Sequence, residues 1–163
     1  MSSEVRSTTE VTRAQLAEAA LSELPQPSRL LSALVRAYLS PVPESDLAEI
    51  RPRTLAATVA AHLEVGERRE PGHNLIRILP PGLVPEVTDG STLALVVTDD
   101  RPFLVDTLTM ELTRQGWSLR WLYHPQPHVT RDESGRLRDI APADGLPESW
   151  IALEIYPPLG TAA

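Results

Sequence analysis

The chain contains no cysteine and no lysine. Without thiols there is no disulfide framework, no thiolate zinc site and no cysteine nucleophile. Without lysine, no amine stands ready as the second group that a catalytic carboxylate needs. Aromatic residues make up only 4% of the sequence, so the core must be built mostly from Leu, Val, Ala and Ile. Neither GxGxxG nor GxxxxGK occurs, which excludes dinucleotide and nucleoside-triphosphate sites of the usual kinds. No apolar run approaches the length of a membrane span, and the N-terminus, MSSEVRSTTEVTRAQ, lacks the apolar core of a signal peptide. The expectation is a cytoplasmic chain without a membrane partner. Positive charge is also short: 15 basic residues face 22 acidic ones, for a net charge of -7. No basic cluster is available for a polyanion, so nucleic acid is excluded as a partner.

What is present is enough chain, 163 residues, for one domain with a real core. Residues 1–11 read as a disordered polar tail. A helical arm follows over 12–70. Leu16, Ala17, Ala20, Leu21 and Leu24 share one helix face over 12–24, with Thr12 as N-cap and Pro25 as a stop. A second helix is predicted over 28–39, a short turn over 43–50, and a third helix over 52–67 with Pro52 in its first turn. From Pro71-Gly72 the β-formers take over. The period predicts strands at 75–79 and 92–98, the latter (TLALVVT) apolar on both faces as a central strand would be. A turn at Asp89-Gly90 precedes it.

The stretch VVTDDRPFLVDTLTMELTRQG, 96–116, runs into a helix predicted over 101–115, with Leu104, Val105, Leu108 and Leu112 as its buried stripe. A strand follows at 117–123, with Trp117, Leu119, Trp121 and Tyr123 on one face. It continues, bent by Pro125 and Pro127, through His128–Thr130. RDESGR, 131–136, reads as a hairpin turn, 137–148 as loop, and 149–156 as a last strand with Ile151, Leu153 and Ile155 on one side.

Four candidate sites emerge. Asp99 or Asp100 before the helix caps its first-turn N–H groups, a reading preferred over a catalytic one. Asp106 and Glu111 fall on the solvated helix face and make a weak acid/base couple. His124 and His128 have H-x3-H spacing, but two prolines forbid the helix on which that spacing works. On an extended strand the rings stand about 13 Å apart, so no metal is expected. Trp117 and Trp121 read as core, with Tyr123 left open between core and ligand stacking.

The 96–116 stretch resembles the strand–corner–helix of ACT domains, small βαββαβ regulatory modules that bind amino acids beside a D-R-P-G-L-L corner. Together with HPQPHVTRDESGRL and PESWIALEIY, it more closely resembles the N-terminal region of the large bacterial NAD-specific glutamate dehydrogenases. The resemblance spans 28–156. It implies an α+β fold: the helical arm, then a partial ACT-like (ferredoxin-like) antiparallel sheet over 71–163 with one clear helix. One sheet face is left bare, to be covered by the arm or by a second copy of the chain.

The function implied is that of a non-catalytic regulatory or assembly domain. Its partner is the remainder of a dehydrogenase that deaminates L-glutamate to 2-oxoglutarate with NAD. This chain would bind no cofactor itself; a homo-oligomer and an amino-acid effector are expected partners. The site is the corner Asp99, Asp100, Arg101 and Phe103, with Asp100 capping the helix, Arg101 meeting an anion or a neighbouring chain, and Phe103 filling the pocket. Phe103 stands where ACT corners usually have Gly. The alternative is a stand-alone ACT-like amino-acid sensor. A hydrolase or isomerase using Asp99, Asp106 and a histidine finds no supporting pattern.

Overall fold

The computed structural model describes residues 11–84, 86 and 90–160. The expected tail, except Val11, and Asp89 of the expected turn lie outside them.

Helix α1 (Arg13–Ser22) starts as its sequence asks. The Thr12 hydroxyl accepts from the Gln15 amide and the Gln15 side chain reciprocates at Thr12 N. Helix α2 (Arg29–Leu39) is capped by the Ser28 hydroxyl. A 3-10 turn (Glu44–Glu49) leads to α3 (Pro52–Gly66), with proline in its first turn. The stripes of these helices meet one another through Leu16, Ala20, Leu34, Val35, Tyr38, Leu55 and Val59.

The strands are β1 (Leu75–Leu79), β2 (Thr92–Asp99), β3 (Ser118–Tyr123), β4 (His128–Arg131), β5 (Leu137–Ile140) and β6 (Leu146–Tyr156), with helix α4 (Leu104–Arg114) between β2 and β3. They form one sheet in the order β1-β2-β6-β4-β5, with β3 also paired to β6. All named pairings are antiparallel. Along β2, Leu93, Leu95 and Val97 face the arm; Ala94 and Val96 face α4. Along β6, Trp150 and Ala152 face the arm, while Ile151, Leu153 and Ile155 meet Leu104, Val105, Leu108 and Leu112 of α4. The arm thus covers the sheet face that α4 leaves bare. This answers the choice between the arm and a second copy in favour of the arm.

Three readings of the strands need correction. The segment 137–148 is not loop: Leu137–Ile140 closes a hairpin with β4, and β6 begins at Leu146. Charged and proline residues there hid the apolar alternation by which a strand is read. The strand starting near 117 is broken at 124–127, although that segment stays against β6, whose Trp150 and Glu148 amides donate to the Pro125 and Pro127 carbonyls. Proline can accept but not donate, which suits it to such a position. Finally, Trp117 and Trp121 do not share a face. A register shift between Leu119 and Trp121 inserts one residue, and the alternation inverts. Trp117 packs under α4, whereas Trp121 and Tyr123 pack towards the arm.

Gly66 shows how closely the arm is seated. A Cβ there would lie 2.1 Å from the Trp150 ring, which is fully buried. Gly66→Ala is expected to cost about 1–3 kcal/mol, the range for overpacking a filled core. Urea unfolding checks it; an unchanged midpoint would show that the indole can slide aside.

Candidate functional site

The corner after β2 is held by both aspartates, but not as helix caps. Asp100 turns back to the sheet, where its Oδ1 accepts from the Ser149 hydroxyl at 2.7 Å and the Gln126 amide at 2.8 Å. The expected capping role of Asp100 is therefore corrected. Helix α4 begins three residues later than predicted, at Leu104, and Phe103 occupies the N-cap position without a side-chain cap. Asp99 accepts from Arg69 at 2.8 Å, and exposed Arg101 approaches its other oxygen at 3.8 Å.

Phe103 does not fill a pocket. Its ring is 75% exposed, and its backbone has φ 63°, in the left-handed region. An aromatic residue is strained there, by about 1 kcal/mol or more, and glycine is not. Phe103→Gly is expected to raise stability by about 0.5–1 kcal/mol, since little packing is lost. A thermal melt checks it, and a lower midpoint would mean that the ring supports the corner.

Ser149, Asp100 and His124 form a hydrogen-bonded row, with His124 Nε2 3.1 Å from the Ser149 Oγ. Because that hydroxyl gives its proton to Asp100, His124 Nε2–H must be the donor to it. A serine nucleophile needs the reverse, a histidine that accepts the hydroxyl proton. Ser149 is also fully buried. The hydrogen bonds from Ser149 and Gln126 lower the Asp100 pKa despite some burial, and burial lowers that of His124 against the pull of Asp100. The row pins the corner and does not activate an oxygen. Asp106 and Glu111 are exposed on α4, and Glu111 is engaged with Arg114.

Two buried networks were not anticipated from the sequence. Glu148, 2% exposed, accepts from Arg69 and Arg131 through both oxygens, and from the Trp150 indole at 3.0 Å. Arg131 also donates to the Gly66 and Gly135 carbonyls, and Arg69 to His73 O and Asp99. Four chain segments, 66–73, 99, 131–135 and 148–150, meet in this knot beside the corner. Burial works to raise the Glu148 pKa, but the hydrogen bonds and charges of Arg131 and Arg69 prevail and lower it. The second network centres on His62, fully buried on α3. Its Nε2 lies 3.0 Å from the Val96 carbonyl, so that nitrogen carries the proton, and Nδ1 accepts from the Tyr38 hydroxyl. The signal for both was a lone charged or imidazole group at a position that the periodicity turns inward.

Among the described residues no group of His, Asp and Glu could hold a metal ion. Nor is any helix long and apolar enough to cross a membrane.

The antiparallel sheet, the strand–corner–helix unit and the helix packed on one face define an ACT-like α+β module. A family model described as "Glutamate dehydrogenase, ACT1 domain" matches residues 34–160, and the chain belongs to that family. The NAD-specific glutamate dehydrogenase of Halomonas elongata is 28% identical over 124 residues, 72% of this chain and 8% of that protein. The chain thus spans less than a tenth of the length of that relative. No solved structure matches it.

Proposed function

We propose that this chain is the non-catalytic regulatory module of a large NAD-dependent glutamate dehydrogenase, and that its Asp99–Phe103 corner couples an effector or an interface to the catalytic part. NAD and the oxidative deamination of L-glutamate to 2-oxoglutarate belong, on this reading, to the rest of the enzyme. So does any cytoplasmic, oligomeric assembly in which it works.

The observation that carries the reading is the corner itself. Arg69 of the knot holds Asp99, and Ser149 and Gln126 hold Asp100, yet beyond them Arg101 is 69% exposed and Phe103 is strained and exposed. Strain retained at a solvent-facing aromatic is expected where the residue meets something other than its own core. Coupling of this kind needs two states with different contacts at the corner.

The test is made in the full-length dehydrogenase carrying Arg101→Ala or Phe103→Ala. The expected result is a shift of about fivefold or more in the concentration of glutamate, aspartate or branched-chain amino acid that alters activity. Turnover without effector should stay within about twofold, because no group of this chain would touch substrate. If both variants keep the parent's effector response and its solution mass, the corner is not the coupling element.

A further inference from the structure

At one end of the sheet the open edge is guarded by neither a bulge nor a proline. β1 is the last strand in the order, and among the described residues no strand pairs with its outer side. Open edges are usually blunted by bulges, charges or shortness, because their unpaired N–H and C=O groups invite another strand. β5, at the other end, has four residues and carries Arg138 and Asp139. β3, paired along one side with β6, carries Arg120 and the bulge. β1 instead runs five residues in unbroken register with β2. Its isoleucines, Ile76 and Ile78, lie opposite Val96 and Ala94 on the α4 side of the sheet. They are nevertheless 66% and 57% exposed.

The strand reads the same in both directions: Leu75-Ile76-Arg77-Ile78-Leu79. Laid antiparallel against a second copy about an axis through Arg77, each residue meets its own kind. Leu75 opposes Leu79, Ile76 opposes Ile78, and Arg77 opposes Arg77. On the α4 side this gathers the two isoleucines of each copy, β-branched side chains that pack well across strands. On the arm side two arginines come together, but each already has the Glu64 carboxylate of α3 at 3.7 Å. The axis therefore holds charges of both signs rather than a bare like-charge pair. A two-fold contact is also closed, so one pairing satisfies the β1 edge of both copies.

We propose that β1 is the interface through which two copies of this chain join, their sheets made continuous by an antiparallel β1–β1 pair. The interface uses no residue of the Asp99–Phe103 corner, so it stands or falls apart from the coupling read there.

Sedimentation equilibrium of the chain from about 10 μM to 1 mM tests it, a range that spans the affinities of small interfaces. The expected result is a concentration-dependent equilibrium between monomer and dimer. Ile76→Lys combined with Ile78→Lys sets like charges across the axis and should weaken association about tenfold or more. Both side chains are exposed in a single copy, so the thermal midpoint should stay within about 5 °C. A second variant reports the contact even if that one does not fold. The chain has no cysteine, and Arg77→Cys sets two thiols face to face, their Cα atoms about 4.5–5.5 Å apart. Mild oxidation should link most of that variant into dimers. Leu83→Cys, exposed beyond the strand, should stay largely unlinked. A chain that is monomeric at about 1 mM would overturn the proposal and leave the edge to a strand from elsewhere in the parent enzyme. A dimer that the lysines leave intact, or equal cross-linking of both cysteine variants, would overturn it too, by placing the contact on another surface.

Discussion

Glu148→Ala is expected to cost about 3–5 kcal/mol of stability, the largest loss of any single substitution considered. The carboxylate is the shared counter-charge of Arg69 and Arg131, 5% and 11% exposed at their side chains. Neither guanidinium can turn to water without breaking bonds to His73, Gly66 or Gly135 carbonyls. Removing the carboxylate takes away the ion-pair partner of buried Arg131, leaves Arg69 with Asp99 alone, and deprives the Trp150 indole of its acceptor. Such a loss measures uncompensated charge rather than the net worth of the cluster, since burying the three ions was itself costly. Urea unfolding gives the number. A loss below about 1 kcal/mol would mean that water reaches both guanidiniums. In the parent chain, protonation has a related effect. The folded-state pKa of Glu148 is lowered from 4.5, so this contribution is present above that pH and is lost as the pH falls below it.

The second large effect is set by His62 and appears at milder acidity. Burial lowers its pKa from 6.5 to about 4, against a smaller opposing pull from the hydrogen bond to Val96. The folded chain therefore binds fewer protons than the unfolded chain between those values. Stability is fully present above pH 6.5 and declines as the pH falls towards 4, by roughly 3 kcal/mol in all. The physical cause is that a charged imidazole would be held away from water, and its Nδ1–H could keep Tyr38 only by reversing that hydrogen bond. It would also sit against the Trp150 ring, 5.0 Å away between centroids, with Tyr38 and the Val96 carbonyl as its hydrogen-bond partners among the described residues. His62→Gln offers one amide donor and one carbonyl acceptor in place of the ring nitrogens. It should flatten most of the pH dependence between 6.5 and 4.5, leaving the smaller slope due to His124, whose pKa is also lowered. Thermal midpoints across that range decide it. A parent chain equally stable at pH 7 and pH 5 would show that His62 does not govern the acid limb.

Much of the fold could be read locally. The caps at Thr12 and Ser28, Pro52 in the first turn of α3 and the double-sided apolar run of β2 all appear where their side chains ask for them. Such signals depend on neighbours within a few residues. Strand β5 and the first residues of β6 were harder, because they belong to the sheet by pairing rather than by apolar alternation. The bulge in β3 inverted the expected alternation for the same reason: one extra residue on one strand is visible only against the other.

The corner divides along the same line. That 99–103 is a special turn between β2 and α4 followed from Asp-Asp-Arg-Pro before an apolar stripe. What each aspartate does followed from residues far away in the chain: Arg69 for Asp99, and Ser149 with Gln126 for Asp100. Local capping would satisfy a first-turn amide, but a charged partner and a buried hydroxyl compete for the same oxygens, and they won.

By itself, then, the sequence determined the helical arm, the two-faced central strand, the family resemblance and the place of the corner. Each is written in periodicity, caps or contiguous motifs. Only the tertiary structure decided that the arm covers the bare sheet face, that Glu148 gathers two arginines, and that His62 is sealed neutral between α2, α3 and β2. Those outcomes depend on long-range packing and on the cost of burying charge, and neither is a property of any short stretch of chain.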